Sequence, residues 1–134
     1  MNSTSSPDPD TPPTAMVVDD STSARHLIQH MLGSCGVESV GCGSVREALA
    51  ALGRLPRPEI LLVDWNMPVA DGLVLVRAVR ARDDGKHFRI MMVSAEGATE
   101  NIRGALAAGA DEYLIKPFTL DALKAKLLLL GNPL

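Results

Sequence analysis

The chain has 134 residues, of which 46% are apolar and 3% aromatic, and 13 basic against 16 acidic side chains give it a formal net charge of −3. This composition suits one domain with a substantial core and is too apolar for a disordered protein. The acidic balance argues against a nucleic-acid binder that relies on phosphate contacts, and the scarcity of aromatic residues argues against a surface on which bases or sugars stack.

The sequence carries no sign of export or membrane insertion. No apolar run approaches the roughly 18 residues of a membrane span. The N-terminus has neither the basic start nor the apolar stretch of a signal peptide. Cys35 and Cys42 form no CxxC pair and no disulfide framework. We therefore expect a reduced, cytoplasmic protein that does not bind a membrane.

The first 14 residues, MNSTSSPDPDTPPT, are nearly all Ser, Thr, Pro, Asp and Asn. They offer almost nothing to bury, and their prolines lack the backbone donors that regular structure needs. We predict a disordered tail over residues 1–14 and one folded domain over residues 15–134.

From Ala15 onwards, short apolar runs alternate with segments of helical period. The runs are continuous rather than alternating, which is typical of parallel strands covered on both faces. The five predicted strands are Ala15–Val18, a weaker one around Val37–Cys42, Ile60–Val63, Ile90–Val93 and Tyr113–Ile115.

Each predicted strand is followed by a predicted helix with apolar residues three or four apart. The apolar stripes are Ala24, Leu27, Ile28, Met31 and Leu32; Val45, Ala48, Leu49 and Leu52; Leu73, Val76, Ala78 and Val79; Ile102, Ala105 and Leu106; and Leu120, Leu123, Leu127 and Leu130. Predicted N-caps are Ser44, Asp71 and Thr119, and glycines 33, 36 and 109 are predicted helix ends.

The predicted order is therefore (βα)5, an α/β fold. Because crossovers between parallel strands are right-handed, five such units wind into a doubly wound five-stranded parallel sheet with helices on both faces, a three-layer sandwich. In such folds, ligands bind outside the carboxyl ends of the strands, where the strand order reverses.

Polar side chains follow four of the five predicted strands at that edge. Asp19 and Asp20 follow the first strand, Asp64 the third, Ser94 the fourth and Lys116 the fifth. Three carboxylates placed together repel one another unless a cation joins them. A small set of hard oxygen ligands suits Mg²⁺ that is shared with a phosphate oxygen. The pattern predicts a phosphoryl-transfer site rather than a coincidence of acidic loops.

The sequence lacks the loops that bind nucleotides. It has no G-x-x-x-x-G-K-[ST], and no G-x-G-x-x-G follows the first strand. The segment Gly41-Cys42-Gly43 lacks the third glycine, and we interpret it as a turn into the second helix. What remains is an aspartate that itself accepts phosphate. We predict Asp64 as that nucleophile, with Asp19 and Asp20 holding Mg²⁺, Lys116 neutralising the phosphoryl group and Ser94 donating a hydrogen bond to it.

These motifs closely resemble the receiver domain of two-component response regulators, above all the single-domain chemotaxis type. The matching segments are Val17–Asp20, Val63–Pro68, Val93–Glu96, Gly109-Ala110 and Tyr113–Thr119. The resemblance spans residues 15 to 130. It implies the flavodoxin-like, CheY-like sandwich already predicted, and a signalling protein rather than an enzyme, with at most self-phosphotransfer and self-dephosphorylation activity.

The resemblance also implies specific roles. The phosphodonor is a phosphohistidine on a sensor histidine kinase, and Asp64 is the acceptor. The backbone carbonyl of Asn66 joins Asp20 and Asp64 as a Mg²⁺ ligand, while Asp19 helps through water. Ser94 and Tyr113 form a switch pair whose ring moves inward on phosphorylation. Output to a downstream target or a second copy runs through the face of the fourth helix, fifth strand and fifth helix.

Three further features follow from the resemblance. Asn66 and Glu96 occupy positions that tune hydrolysis of the aspartyl phosphate, and the Lys116–Pro117 bond is cis. The fourth helix starts with Gly97-Ala98-Thr99-Glu100 rather than with basic residues, so binding to a flagellar motor switch is not predicted.

Two alternatives share this chemistry. A phosphorelay shuttle would pass the phosphate to a histidine phosphotransfer protein. An aspartate-nucleophile phosphatase is less favoured, because that class has Asp-x-Asp and a cap domain where this chain has Asp64-x-Asn66 and little spare length.

Two surface features are also interpreted. Arg77, Arg80 and Arg82 are taken as a solvated helix face. The run Leu127–Leu130 has more leucines than one buried helix stripe needs. We favour a helix end that folds over the core. The alternative is that Leu129 belongs to an exposed apolar patch.

Overall fold

The computed structural model describes residues 14–54, 58–67 and 71–131, so the predicted tail lies outside the described residues apart from Thr14. In these ranges five strands alternate with five helices, as predicted. Their bounds are β1 Ala15–Val18, α1 Thr22–Ser34, β2 Ser39–Cys42, α2 Val45–Leu52, β3 Ile60–Asp64, α3 Gly72–Arg80, β4 Arg89–Ser94, α4 Thr99–Ala108, β5 Glu112–Ile115 and α5 Leu120–Leu129. A short 3₁₀ helix spans Gly85–His87.

The five strands form one parallel sheet in the order β2-β1-β3-β4-β5. Helices α1 and α5 pack on one face of it, and α2, α3 and α4 pack on the other. The predicted doubly wound α/β sandwich is therefore confirmed. The chain moves outward from β1 to β2 and then returns to place β3 on the other side of β1. This reversal puts the carboxyl ends of β1 and β3 side by side.

Local sequence signals set the helix starts. The side chains of Ser44, Asp71 and Thr119 accept hydrogen bonds from backbone N–H groups in the first turns of α2, α3 and α5, as predicted. Glu47 completes the start of α2 by accepting from the N–H of Gly43 at 2.6 Å. Helix α1 runs through Gly33 to Ser34, and the chain turns at Gly36, whose φ of +78° is left-handed.

Several apolar side chains predicted to be buried are exposed. On α1, Ile28 and Leu32 face the sheet, whereas Leu27 is 60% exposed. A helix lying on a sheet buries a narrow stripe, and Leu27 lies about 100° around the helix from Ile28. Helix α5 stays regular to Leu129, which is exposed, so the favoured idea of an end folded over the core is wrong. Every helix within the described ranges is too short or too polar to span a lipid bilayer.

The Arg80 side chain binds other elements of the fold and is not part of a solvated helix face. Its guanidinium donates to the carbonyls of Gly109, Gly85 and Phe88, and it pairs with Asp111 at 2.8 Å. These bonds join the end of α3 to the starts of β4 and β5. The interpretation also fails for Arg82, which pairs with Asp84 and donates to the carbonyl of Leu52. Periodicity could not reveal these partners, because most of them lie on other elements.

Gly72 lets the start of α3 pack against the backbone that follows β3. Its N–H donates to the carbonyl of Trp65 at 2.9 Å. A Cβ at position 72 would lie 2.5 Å from the carbonyl oxygen of Asp64 and 3.1 Å from the Cα of Trp65. Since these obstacles are backbone atoms, a larger side chain would force the helix away from the sheet edge.

We predict that Gly72→Ala lowers the free energy of unfolding by about 1–3 kcal/mol, because the methyl group overpacks a site closed by backbone. The matched control is Gly104→Ala in α4, where a Cβ meets no atom within 4 Å. That change should stabilise the protein by about 0.5–1 kcal/mol through helix propensity. Urea denaturation measures both, and equal effects at the two positions would contradict the close approach.

Candidate functional site

Three carboxylates meet at the carboxyl edge of the sheet. Asp19 and Asp20 directly follow β1, and Asp64 is the last residue of β3. Because β1 and β3 are neighbours, one carboxylate oxygen from each of the three lies within 4.8 Å of the others. Asp19 and Asp64 are buried, whereas Asp20 is exposed. The structure thus brings together the three acidic residues singled out in the sequence.

Lys116 supplies a positive charge to this cluster. It follows β5, two strands away from β3, and its side chain reaches back to the carboxylates. Its Nζ lies 3.1 Å from Oδ1 of Asp64 and 3.3 Å from Oδ2 of Asp19. The backbone N–H of Lys116 donates to the carbonyl of Ser94, and this hydrogen bond continues the pairing of β4 and β5. One ammonium therefore faces three carboxylates.

This imbalance of charge shifts the acidities of the site. Burial raises the pKa of Asp64, the charges of Asp19 and Asp20 raise it further, and Lys116 offsets only part of the rise. Burial opposes the charge on Lys116, but the hydrogen bond and charge of Asp64, together with Asp19, outweigh it and raise the pKa of Lys116. The site holds a destabilised carboxylate beside a firmly protonated ammonium.

The donor set fits a small hard cation. Each of the three carboxylates presents an oxygen atom within 4.8 Å of the other two, and the exposure of Asp20 leaves one side open to water and to a ligand. Mg²⁺ prefers such oxygen ligands and keeps several waters. A divalent ion would also relieve the repulsion that raises the pKa of Asp64. Asn66 lies two residues after Asp64 in the loop that follows β3, and its side chain is exposed.

Ser94 and Tyr113 are linked through the backbone of Glu96. Ser94 is the last residue of β4, and its buried Oγ accepts from the N–H of Glu96 at 3.1 Å. The Tyr113 hydroxyl donates to the carbonyl of Glu96. The Tyr113 ring is buried in this structure.

Two contacts of the site were not predicted from the sequence. The ring of half-buried Trp65 meets that of Tyr113 edge-on, with centroids 6.2 Å apart and planes at 73°. On the other side of the site, Nη1 of Arg25 donates to the carbonyl of Asp19 at 2.8 Å. A weak signal existed for each, since Trp65 adjoins Asp64 and Arg25 lies one turn into the helix after Asp19. The Lys116–Pro117 peptide bond is cis, as the resemblance implied.

Comparison with known proteins adds a family relationship to this geometry. The family model of the response regulator receiver domain matches residues 15–128. Chemotaxis protein CheY1 of Helicobacter pylori is 40% identical over 113 residues, which cover 84% of this chain and 91% of that protein. Chemotaxis protein CheY-3 of Vibrio cholerae is 33% identical over 84% of this chain and 86% of that protein. The solved structure of the chemotaxis response regulator CheY4 of Vibrio cholerae matches with a TM-score of 0.81 at 34% identity, covering 90% of this chain and 99% of that one.

The raised pKa of Asp64 predicts how acid affects the metal-free protein. A carboxyl with a higher pKa in the folded than in the unfolded state contributes stability that is fully present below its unfolded pKa and is lost as the pH rises through the folded value. At pH 7, Asp64→Asn should therefore raise the unfolding midpoint of the metal-free protein by a few degrees. The gain should shrink as the pH falls through the raised folded pKa of Asp64, and it should be gone below the unfolded value. Thermal unfolding with a chelator present measures it, and a lower midpoint for the variant at pH 7 would contradict the raised pKa that burial and the neighbouring carboxylates give Asp64.

Proposed function

The chain belongs to the response regulator receiver family, and from that premise we propose that it is a phosphorylation-controlled signalling switch with Asp64 as its phosphoacceptor. The observation that carries the proposal is the setting of Asp64. It is a buried carboxylate at a strand end, 3.1 Å from an ammonium and beside two further carboxylates. Charge compensation of this kind is what phosphoryl transfer requires.

In the proposed reaction, a carboxylate oxygen of Asp64 attacks the phosphorus of a phosphohistidine on a sensor histidine kinase. The new P–O bond forms as the P–N bond breaks, and the bond electrons leave with the imidazole nitrogen, which then takes a proton. The Lys116 ammonium, already placed against Asp64, is close enough to neutralise charge on the transferred group. The chain acts as a phosphoacceptor and not as an enzyme on a separate substrate.

Asp19, Asp20, Asp64 and the backbone carbonyl of Asn66 would hold Mg²⁺. The ion supplies charge neutralisation for the phosphoryl oxygens when bound. Support comes from the close approach of the three carboxylates and from the raised pKa of Asp64, which a cation would bring down. The side chains of Asn66 and Glu96 are exposed beside this edge, where they can influence the approach of a hydrolytic water.

We propose that the signal leaves the site through Ser94. When its hydroxyl turns to a phosphoryl oxygen, the Glu96 N–H loses its present acceptor. The carbonyl of the same residue accepts from Tyr113, so a shift of this loop changes the hold on the Tyr113 ring. To move such a switch from mostly off to mostly on takes several kcal/mol of differential phosphate contact, on the order of 3–5.

The output surface is proposed to be the face of α4, β5 and α5. A groove of about 530 Å³ there is bordered by Tyr113, and Leu106 and Ile115 expose apolar surface on it. Its occupant would be a downstream target protein or a second copy of this chain. The phosphorelay shuttle remains the second candidate, because the same site would serve onward transfer to a histidine. The phosphatase alternative is less favoured, since Asn66 stands where that class has a second aspartate.

We predict that Asp64→Asn abolishes phosphorylation by acetyl phosphate in the presence of Mg²⁺, because the amide is not a nucleophile for phosphorus. Intact mass spectrometry counts the phosphoryl groups on each chain. Asp71→Asn is the matched control, since Asp71 only caps α3 and asparagine also caps well. Labelling of the Asp64 variant at the wild-type rate would show that another residue is the acceptor.

We predict that Ser94→Ala still accepts phosphate but no longer passes the change to the output face. NMR shift maps with and without beryllofluoride, a phosphoryl mimic, test this. In the wild type, changes should reach Tyr113 and residues 99–108. In the variant they should stay near Asp19, Asp64 and Lys116, while Ser94→Thr, which keeps the hydroxyl, should restore them. A wild-type map confined to those loops would refute this route and favour the shuttle.

A further inference from the structure

Arg25 holds the main chain of the acidic loop from outside the acidic cluster. It lies in the first turns of α1, and its guanidinium donates to the carbonyl of Asp19 at 2.8 Å. The N–H of Asp19 donates to the carbonyl of Cys42 at 3.0 Å, and one Asp19 carboxylate oxygen accepts from the N–H of Ser21. Arg25 therefore secures the carbonyl that joins Asp19 to Asp20.

The path of this side chain crosses the end of β2 at a glycine. A Cβ at Gly41 would lie 2.9 Å from Cδ and 3.0 Å from Nε of Arg25, and 2.8 Å from Oε1 of Gln29. At Gly43 it would lie 3.5 Å from Nη1 of Arg25, an ordinary contact. Gly41 has no left-handed backbone angle and pairs regularly with Val17 in the sheet. The absence of a side chain at position 41 thus leaves room for the side chains of Arg25 and Gln29, and the conformation of the strand does not demand it.

We propose that Arg25 is a positioning residue for the metal site and that Gly41 supports this role by leaving open the passage that the Arg25 side chain occupies. This inference rests on the Mg²⁺ site of the proposed function and adds residues outside its ligand set. Asp19 and Asp20 must stay close to Asp64 although the three carboxylates repel. Because the carbonyl is anchored, the loop already has its binding conformation before the ion arrives. The free-energy cost of ordering the loop on binding is therefore smaller.

The test is a double-mutant cycle on Mg²⁺ affinity. Binding is followed by the fluorescence of Trp65, which is the single tryptophan and adjoins Asp64. Arg25→Ala removes a hydrogen bond from a charged donor and should weaken Mg²⁺ binding by about three- to tenfold. Gly41→Ala should weaken it similarly, because the new methyl displaces the flexible Arg25 side chain. The double variant should bind no more weakly than Arg25→Ala alone, since the displaced group is already gone.

Gly43→Ala is the matched control and should leave the affinity unchanged, because its methyl makes only an ordinary contact. Urea denaturation of each metal-free variant shows that it is folded. A purely structural role for Arg25 would change the denaturation midpoint and leave the Mg²⁺ affinity at the wild-type value, which would overturn the inference.

Three outcomes of the binding measurements are decisive. Additive losses for Arg25→Ala and Gly41→Ala would show that Gly41 does not act through Arg25. Wild-type affinity in Arg25→Ala, in a protein that still binds Mg²⁺ and is phosphorylated on Asp64, would overturn this inference and leave the proposed function intact. A wild-type protein that does not bind Mg²⁺ at all would instead overturn the metal site and this inference with it.

Discussion

The repulsion among Asp19, Asp20 and Asp64 is the constraint on which the rest of this edge of the molecule depends. The sheet topology brings the ends of β1 and β3 together, and with them three carboxylates whose oxygens lie within 4.8 Å of one another. Lys116 offsets part of this charge, yet burial and the neighbouring carboxylates keep the pKa of Asp64 raised. A folded protein sustains such a cluster only when the surrounding structure holds it in place.

That hold comes mainly from backbone contacts at the strand ends. Gly72 allows the start of α3 to pack directly against the carbonyl of Asp64. Arg25, on α1, donates a hydrogen bond to the carbonyl of Asp19. At the opposite edge of the sheet, Arg80 likewise fixes the backbone, because its guanidinium donates to carbonyls at the ends of several elements. The helices thus do more than cover the sheet, since their ends fix the loops between which the carboxylates lie.

The same cluster is connected to the surface by a short chain of contacts. Ser94, Glu96 and Tyr113 are joined by two hydrogen bonds, and Trp65 brings the residue after Asp64 against the Tyr113 ring. Contacts therefore lead from the strand ends beside Asp64 to Tyr113 by two routes, one through the end of β4 and one through the loop after β3. The signalling switch that we propose would use these contacts to carry a change of charge away from the site.

The amino-acid sequence by itself determined the order of strands and helices, the N-caps of α2, α3 and α5, and the convergence of Asp19, Asp20, Asp64 and Lys116 at the edge where Ser94 also lies. These follow from local rules, because apolar runs predict strands and parallel strands bring their carboxyl ends to one edge. The tertiary structure alone decided that Leu27 and Leu129 are exposed. It also decided that Arg80 binds the carbonyl of Gly109 and that Gly41 makes room for Arg25. Each of these depends on atoms that another element brings near, and periodicity along one segment carries no information about its neighbours in space.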